Sequence, residues 1–114
     1  METNARGHRL IASAANPVIK RAKSLRDKKH RKAEHLFLAE GLRILTEAKD
    51  AGTLPQQLFY AEDRPSHPLA EDLITATLAA GGEVIATSET ILARLSGKDN
   101  PQTLIGLHPD RLTA

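Results

Sequence analysis

A length of 114 residues fits one domain and excludes a complete multidomain enzyme. Leu, Ile, Val and Phe make up about a quarter of the chain, above the range of intrinsic disorder; with no Trp and few aromatic rings, the core has to rely on close packing of small and branched side chains. The absence of Cys excludes a disulfide framework, a thiolate zinc site and a cysteine nucleophile, and fits an intracellular, cytoplasmic setting. No stretch approaches the roughly 18 apolar residues of a spanning helix, and the start METNARGHRL lacks the apolar run of a signal peptide.

The net charge of +2 conceals an asymmetry. Ten of the sixteen Lys and Arg, but only three of the fourteen acids, fall in residues 1–35, a balance of +7 that leaves −5 over residues 36–114. A basic segment on a mildly acidic domain concentrates polyanions locally, which makes nucleic acid the leading partner. The plainer alternative is a solvated basic helix or tail. A membrane surface is disfavoured because the segment has no bulky apolar face to enter a lipid interface.

In chain order, residues 1–9 read as a flexible tail. Asn16-Pro17 is a helix cap followed by proline at the first helical position. Val18, Ala22 and Leu25, with Ile19, give that helix an apolar face, while Lys20, Arg21, Lys23 and Arg26 occupy the remainder. The stretch KKHRKAEH (28–35) loses the apolar pattern and reads as a charged loop or frayed helix end suited to phosphate contact.

Leu36 to Ala39 reads as a buried strand ending at Glu40-Gly41. The next helix has the stripe Gly41, Ile44, Leu45 and Ala48, with Gly52 as its stop. Residues 58–61 form a second strand. A helix opening at Pro68 then carries Leu69, Leu73, Ala76 and Ala80, and ends at Gly81-Gly82. Val84 to Ala86 is a third strand, and Ser88 caps a short helix with Ile91, Leu92 and Leu95, stopped by Gly97. Residues 104–107 are a fourth strand. Strands alternating with helices predict an α/β fold, a three-layer α/β/α sandwich around a small, mostly parallel sheet.

Conventional catalytic signatures are absent. The turn after the first predicted strand is Glu40-Gly41 alone, with neither GxGxxG nor GxxxxGK[ST], so a dinucleotide or P-loop site is not expected. The five His form no HExxH-type pair, and no metal site is expected. Glu40 lies at the carboxyl edge of a strand, where α/β sites gather, and reads either as a general base or ligand-contacting acid, or as a carboxylate holding a nearby Arg such as Arg31 or Arg43.

The series Ile11, Ser13, Asn16, Pro17, Lys20, then a basic run ending in Arg31, then Phe37, Glu40, Gly41, Arg43 and Glu47, resembles the N-terminal substrate-binding domain of the SpoU/TrmH family of RNA 2′-O-ribose methyltransferases. Asn100-Pro101-Gln102 resembles that domain's closing segment, with Thr103 departing from the usual Gly. The resemblance spans residues 10–108 and implies a domain related to ribosomal proteins that bind kinked RNA. It implies structured ribosomal RNA as partner and a parent enzyme that often dimerises through its catalytic domain. S-adenosylmethionine is implied for that knotted catalytic domain, which follows a linker starting at 109–114 and is absent from this chain. This segment is accordingly expected to hold no cofactor and to be inactive alone.

The expected RNA-binding residues are Lys20, Arg21, Lys23, Arg26, Lys28, Lys29, Arg31 and Lys32, with Lys20 and Arg31 foremost for phosphates. Asn16, Glu40 and Gly41 are motif residues of structural kind. The competing readings are a stand-alone ribosomal-type RNA-binding protein, and an interaction domain for an acidic protein.

Overall fold

The computed structural model describes residues 2–96 and 103–109. Five strands and five helices alternate through the chain: β1 (Arg9–Leu10), α1 (Pro17–Ser24), α2 (Lys28–Glu34), β2 (Leu36–Glu40), α3 (Leu42–Asp50), β3 (Gln57–Ala61), α4 (Pro68–Ala79), β4 (Glu83–Thr87), α5 (Glu89–Ser96) and β5 (Leu104–Pro109). They build one sheet in the order β1-β4-β3-β5-β2.

The α/β class is as expected, but the sheet is mixed. β1 and β3 pair parallel with β4, whereas β5 runs antiparallel to both β3 and β2. Helices cover both faces. On one face Ile19, Ala22 and Leu25 of α1 and Ile91, Leu92 and Leu95 of α5 pack on Phe59, Ile85, Ile105 and Leu107. On the other, Leu45 of α3 and Ala70, Leu73 and Ile74 of α4 pack on Leu58, Tyr60, Val84 and Ala86. Successive strand residues thus alternate between two cores, so these strands read as continuous apolar runs.

Several expectations change. Residues 2–10 are bonded into the fold: Arg9 and Leu10 extend the sheet, and the Asn4 side chain donates to the Tyr60 hydroxyl at 2.8 Å. Two residues of strand beside β4 are too short a run to show a period in sequence. Residues 28–34 are helical, and β2 is an edge strand with Phe37 37% exposed rather than fully buried. In α3, Ile44 faces solvent while Leu45 enters the core; in α4 the buried face is Ala70, Leu73, Ile74 and Thr77, leaving Leu69 and Ala80 outside. A helix with apolar residues nearly all round offers several stripes, and sheet contact selects one. Pro109 belongs to β5, opposite Leu36. Gly97 and Asn100-Pro101-Gln102 lie outside the described residues.

Geometry requires glycine at Gly41 and at Gly82. Gly41 caps α3 at φ 101°, where an L side chain is strained. A Cβ on Gly82 would lie 2.8 Å from the Pro55 carbonyl, so the turn after α4 closes only without one.

Candidate nucleic-acid interface

The basic segment folds into two short helices joined by the turn at Leu25-Arg26-Asp27. Asn16 caps α1, its side chain accepting from the Val18 amide at 2.9 Å, and Pro17 takes the first helical position. One face of α1 is drawn into the core by Ile19 and Ala22, so Lys20, Arg21 and Lys23 are left exposed. The charge is displayed because the apolar stripe docks.

α2 has a different origin. It buries no residue, so packing does not hold it. Asp27 caps it by accepting from the Lys29 amide at 2.8 Å, and His35 closes it in a left-handed conformation at φ 57°. Between these caps Arg31 donates through Nη1 to the carbonyls of Leu25 (3.1 Å) and Arg26 (2.8 Å), and Arg21 bridges to Glu34 at 2.8 Å. The chain orders here through polar ties and good helix formers. Asp followed by Lys, Ala, Arg and Glu was the available sequence signal, and apolar periodicity alone overlooks it.

The eight expected binding residues therefore divide. Lys20, Lys23, Arg26, Lys28, Lys29 and Lys32 are exposed, and none has an acidic partner among the described residues. Arg21 is paired with Glu34, and Arg31 is half-buried as a brace of the α1–α2 turn. A shallow groove of about 360 Å³ runs between the helices, lined by Lys23, Ser24, Arg26, Asp27 and His30. Asp27 is the only carboxylate in it, and its Oδ1 is occupied by the capping bond. Separate exposed point charges are the chemistry by which proteins contact a polyanion backbone.

Glu40 and Gly41 stand apart from this set, at the end of β2 and the start of α3. The arginines considered for Glu40 have other partners: Arg31 the carbonyls above, Arg43 the Glu47 carboxylate at 3.4 Å. No cluster of His, Asp and Glu among the described residues could hold a metal ion, and no described helix is long and apolar enough to cross a membrane.

A second polar network, missed in the sequence, ties the N-terminal segment to the opposite core. The Tyr60 hydroxyl meets Asn4 Nδ2 and His8 Nδ1, each at 2.8 Å, and Asn4 also donates to Glu62 at 3.0 Å. Arg6 pairs with Glu71 at 2.5 Å. That bond raises the Arg6 pKa and lowers that of Glu71, while burial, helped by the nearby Arg6 charge, pushes His8 below the usual imidazole range.

Fold and surface together define a small α/β domain that presents a basic helical pair. Residues 16–106 match the MRM3-like substrate binding domain, and the chain belongs to that family. It is similar to the rRNA methyltransferase from Sinorhizobium meliloti (32% identity, TM-score 0.80, covering 90% of this chain and 37% of that one) and to an RNA 2′-O ribose methyltransferase (33% identity, TM-score 0.76, covering 92% and 39%). The SpoU methyltransferase AviRb from Streptomyces viridochromogenes shares the fold at 21% identity and TM-score 0.71, over 82% of this chain and 35% of its own. The SpoU/TrmH resemblance is thereby borne out, and the chain spans less than two fifths of these solved relatives. No curated sequence matches it significantly.

Proposed function

We propose that this domain recognises structured ribosomal RNA and delivers it to the catalytic domain of an RNA 2′-O-ribose methyltransferase, in the cytoplasm. The observation that carries this reading is the set of six exposed cations on α1, α2 and the turn between them that no acid neutralises among the described residues. In A-form RNA the base edges of the major groove are inaccessible, so contacts fall on phosphates, 2′-hydroxyls and local shape. Lys20, Lys23, Arg26, Lys28, Lys29 and Lys32 supply the phosphate contacts, and Arg31 positions them by holding the turn.

One structure of the Sinorhizobium meliloti enzyme is AdoMet-bound. The turn after β2 is Glu40-Gly41 alone, without the glycine run that closes on a nucleotide cofactor, which supports placing AdoMet outside these residues. Methyl transfer, AdoMet and dimerisation belong in this proposal to the catalytic part of the parent protein, and the isolated segment is inactive.

Fluorescence anisotropy of the chain with structured ribosomal RNA fragments and matched duplex DNA, over a range of salt, tests the reading. Preference for one RNA is expected, with a log–log salt slope of about −3 to −5 for four to six neutralised phosphates. Equal, weak binding to every polyanion would overturn it.

A further inference from the structure

A cavity of about 250 Å³ opens at the carboxyl end of β3, beside the first turns of α3 and α4. Leu42, Ala70, Ile74 and Leu104 give it an apolar floor on the α3/α4 side of the sheet. Its mouth is polar but nearly balanced in charge, because Arg6 is paired with Glu71 and Arg64 with Glu89 at 3.2 Å. It is therefore a poor site for a bare phosphate. Among the groups lining it, His67 and Glu62 keep hydrogen-bonding capacity. His67 Nδ1 accepts from the Leu69 amide at 3.0 Å, which leaves the proton of the neutral ring on Nε2 as a donor. Glu62 accepts from Asn4 through Oε1 and retains acceptor capacity on its carboxylate. An apolar slot of this size with donors and acceptors at its mouth matches a flat heterocycle carrying donors and acceptors along its edge.

We propose that the cavity takes one unpaired nucleobase of the bound RNA, its ring against Leu42, Ala70 and Ile74 and its edge toward His67 and Glu62. This rests on the RNA reading but not on the cations of residues 20–32, none of which lines the cavity, and α1 packs on the opposite face of the sheet. A duplex along those helices cannot also fill the cavity, so the base comes from a strand that leaves the duplex and turns over the sheet edge. Splayed bases of loops and bulges are what proteins read in RNA.

The test uses the whole chain and a pool of RNA hairpins with randomised internal loops carrying 4-thiouridine. Captured hairpins are expected to keep an unpaired nucleotide, to lose about tenfold in affinity when it is paired or deleted, and to photo-crosslink from it to the segments Glu62–His67 or Ala70–Ile74. Ala70→Phe fills the cavity and should abolish the preference for the unpaired base. His67→Asn keeps a capping side chain but removes the imidazole, and should weaken that preference severalfold without altering binding of fully paired hairpins; should Ala70→Phe lose its native circular dichroism, this variant carries the comparison. Hairpins captured without an unpaired nucleotide, or crosslinked only to residues 17–34, would overturn the base site and leave the RNA reading standing. A pool that enriches no better than its DNA counterpart would overturn the RNA reading and the base site together.

Discussion

Residues 2–10 and residues 17–34 are both basic, and the fold treats them in opposite ways. In the first segment each arginine has an acid: Arg6 meets Glu71 of α4, and Arg9 meets Glu83 of β4 at 3.3 Å. In the second, most cations stand exposed with no carboxylate opposite them among the described residues, and two arginines serve the fold itself, Arg21 through Glu34 and Arg31 through backbone carbonyls. Counting charge along a chain therefore overstates a binding surface. What matters is the charge left over once folding has used its share, and here the remainder lies on α1, α2 and the turn between them.

The largest effect should follow from removing that remainder. Lys23→Ala, Arg26→Ala and Lys29→Ala together should weaken RNA binding about 30-fold at low salt and make the salt slope shallower by about two, since each lost phosphate contact removes somewhat less than one counterion. The thermal midpoint should not move, as all three side chains are exposed. Unchanged anisotropy titrations would dissolve the contrast between the segments. Arg31→Ala should behave in the opposite manner. It breaks two charge-assisted bonds to carbonyls and should cost about 1–2 kcal/mol in urea unfolding, leaving the salt slope unaltered in conditions where the variant is folded. A shallower slope would make Arg31 a phosphate ligand after all.

A smaller effect concerns a cation that the fold suppresses. His108 is fully buried in β5 and stacked on Phe37, with neither ring nitrogen hydrogen-bonded among the described residues. Burial pushes its pKa below the usual imidazole range, and a backbone contact to Gly106 that falls short of hydrogen-bond geometry pulls weakly the other way. The unfolded chain takes up this proton near pH 6.5 and the folded chain only lower. The stability due to neutral His108 is thus complete above that pH and lost as pH falls toward the depressed folded value. His108→Phe should flatten the decline, so that the variant loses less stability than the parent chain between pH 7 and acid pH. His8 shifts in the same direction, so part of the slope should persist. An unaltered slope in pH-dependent chemical denaturation would show that His108 is not its source.

These contrasts also mark how far the chain was legible as a sequence. Helix α1 was readable because Asn16, Pro17 and the Val18-Ala22-Leu25 stripe with Ile19 beside it all report the same element, in which Ile19, Ala22 and Leu25 are buried and Val18 partly so. The short helix α5 was readable through Ser88, whose Oγ accepts from the Ile91 amide at 3.2 Å, and through its three buried apolar residues. Helix α2 was hidden because no apolar face holds it, and β1 because two residues have no period. Strand direction was hidden as well: β5 is apolar on both faces, and nothing local records that its neighbours β3 and β2 run the other way. At the interface, residue type located the cations but not their partners. Arg21 and Arg31 resemble their neighbours in sequence and differ only through Glu34 and the carbonyls of Leu25 and Arg26, contacts that exist once the two helices have turned on each other.

The smallest effect gives the sharpest test of charge used against charge left over. Glu71 occupies Arg6, and also accepts from the Ser66 hydroxyl. Its carboxyl pKa is held down chiefly by the Arg6 bond and then by Ser66, so the pair stabilises the fold above the ordinary Glu value and loses that contribution as pH falls through the depressed one. Both side chains are about two fifths exposed, so screening keeps the contribution below about 1 kcal/mol. Glu71→Gln should therefore scarcely change the unfolding midpoint at pH 7 while leaving Arg6 without its acid. A freed arginine near the cavity mouth should tighten RNA binding about twofold and steepen the salt slope by less than one. Tighter binding without a steeper slope would assign the gain to something other than a phosphate contact, and weaker binding would mean that the Arg6–Glu71 pair holds the N-terminal segment in the shape the RNA requires.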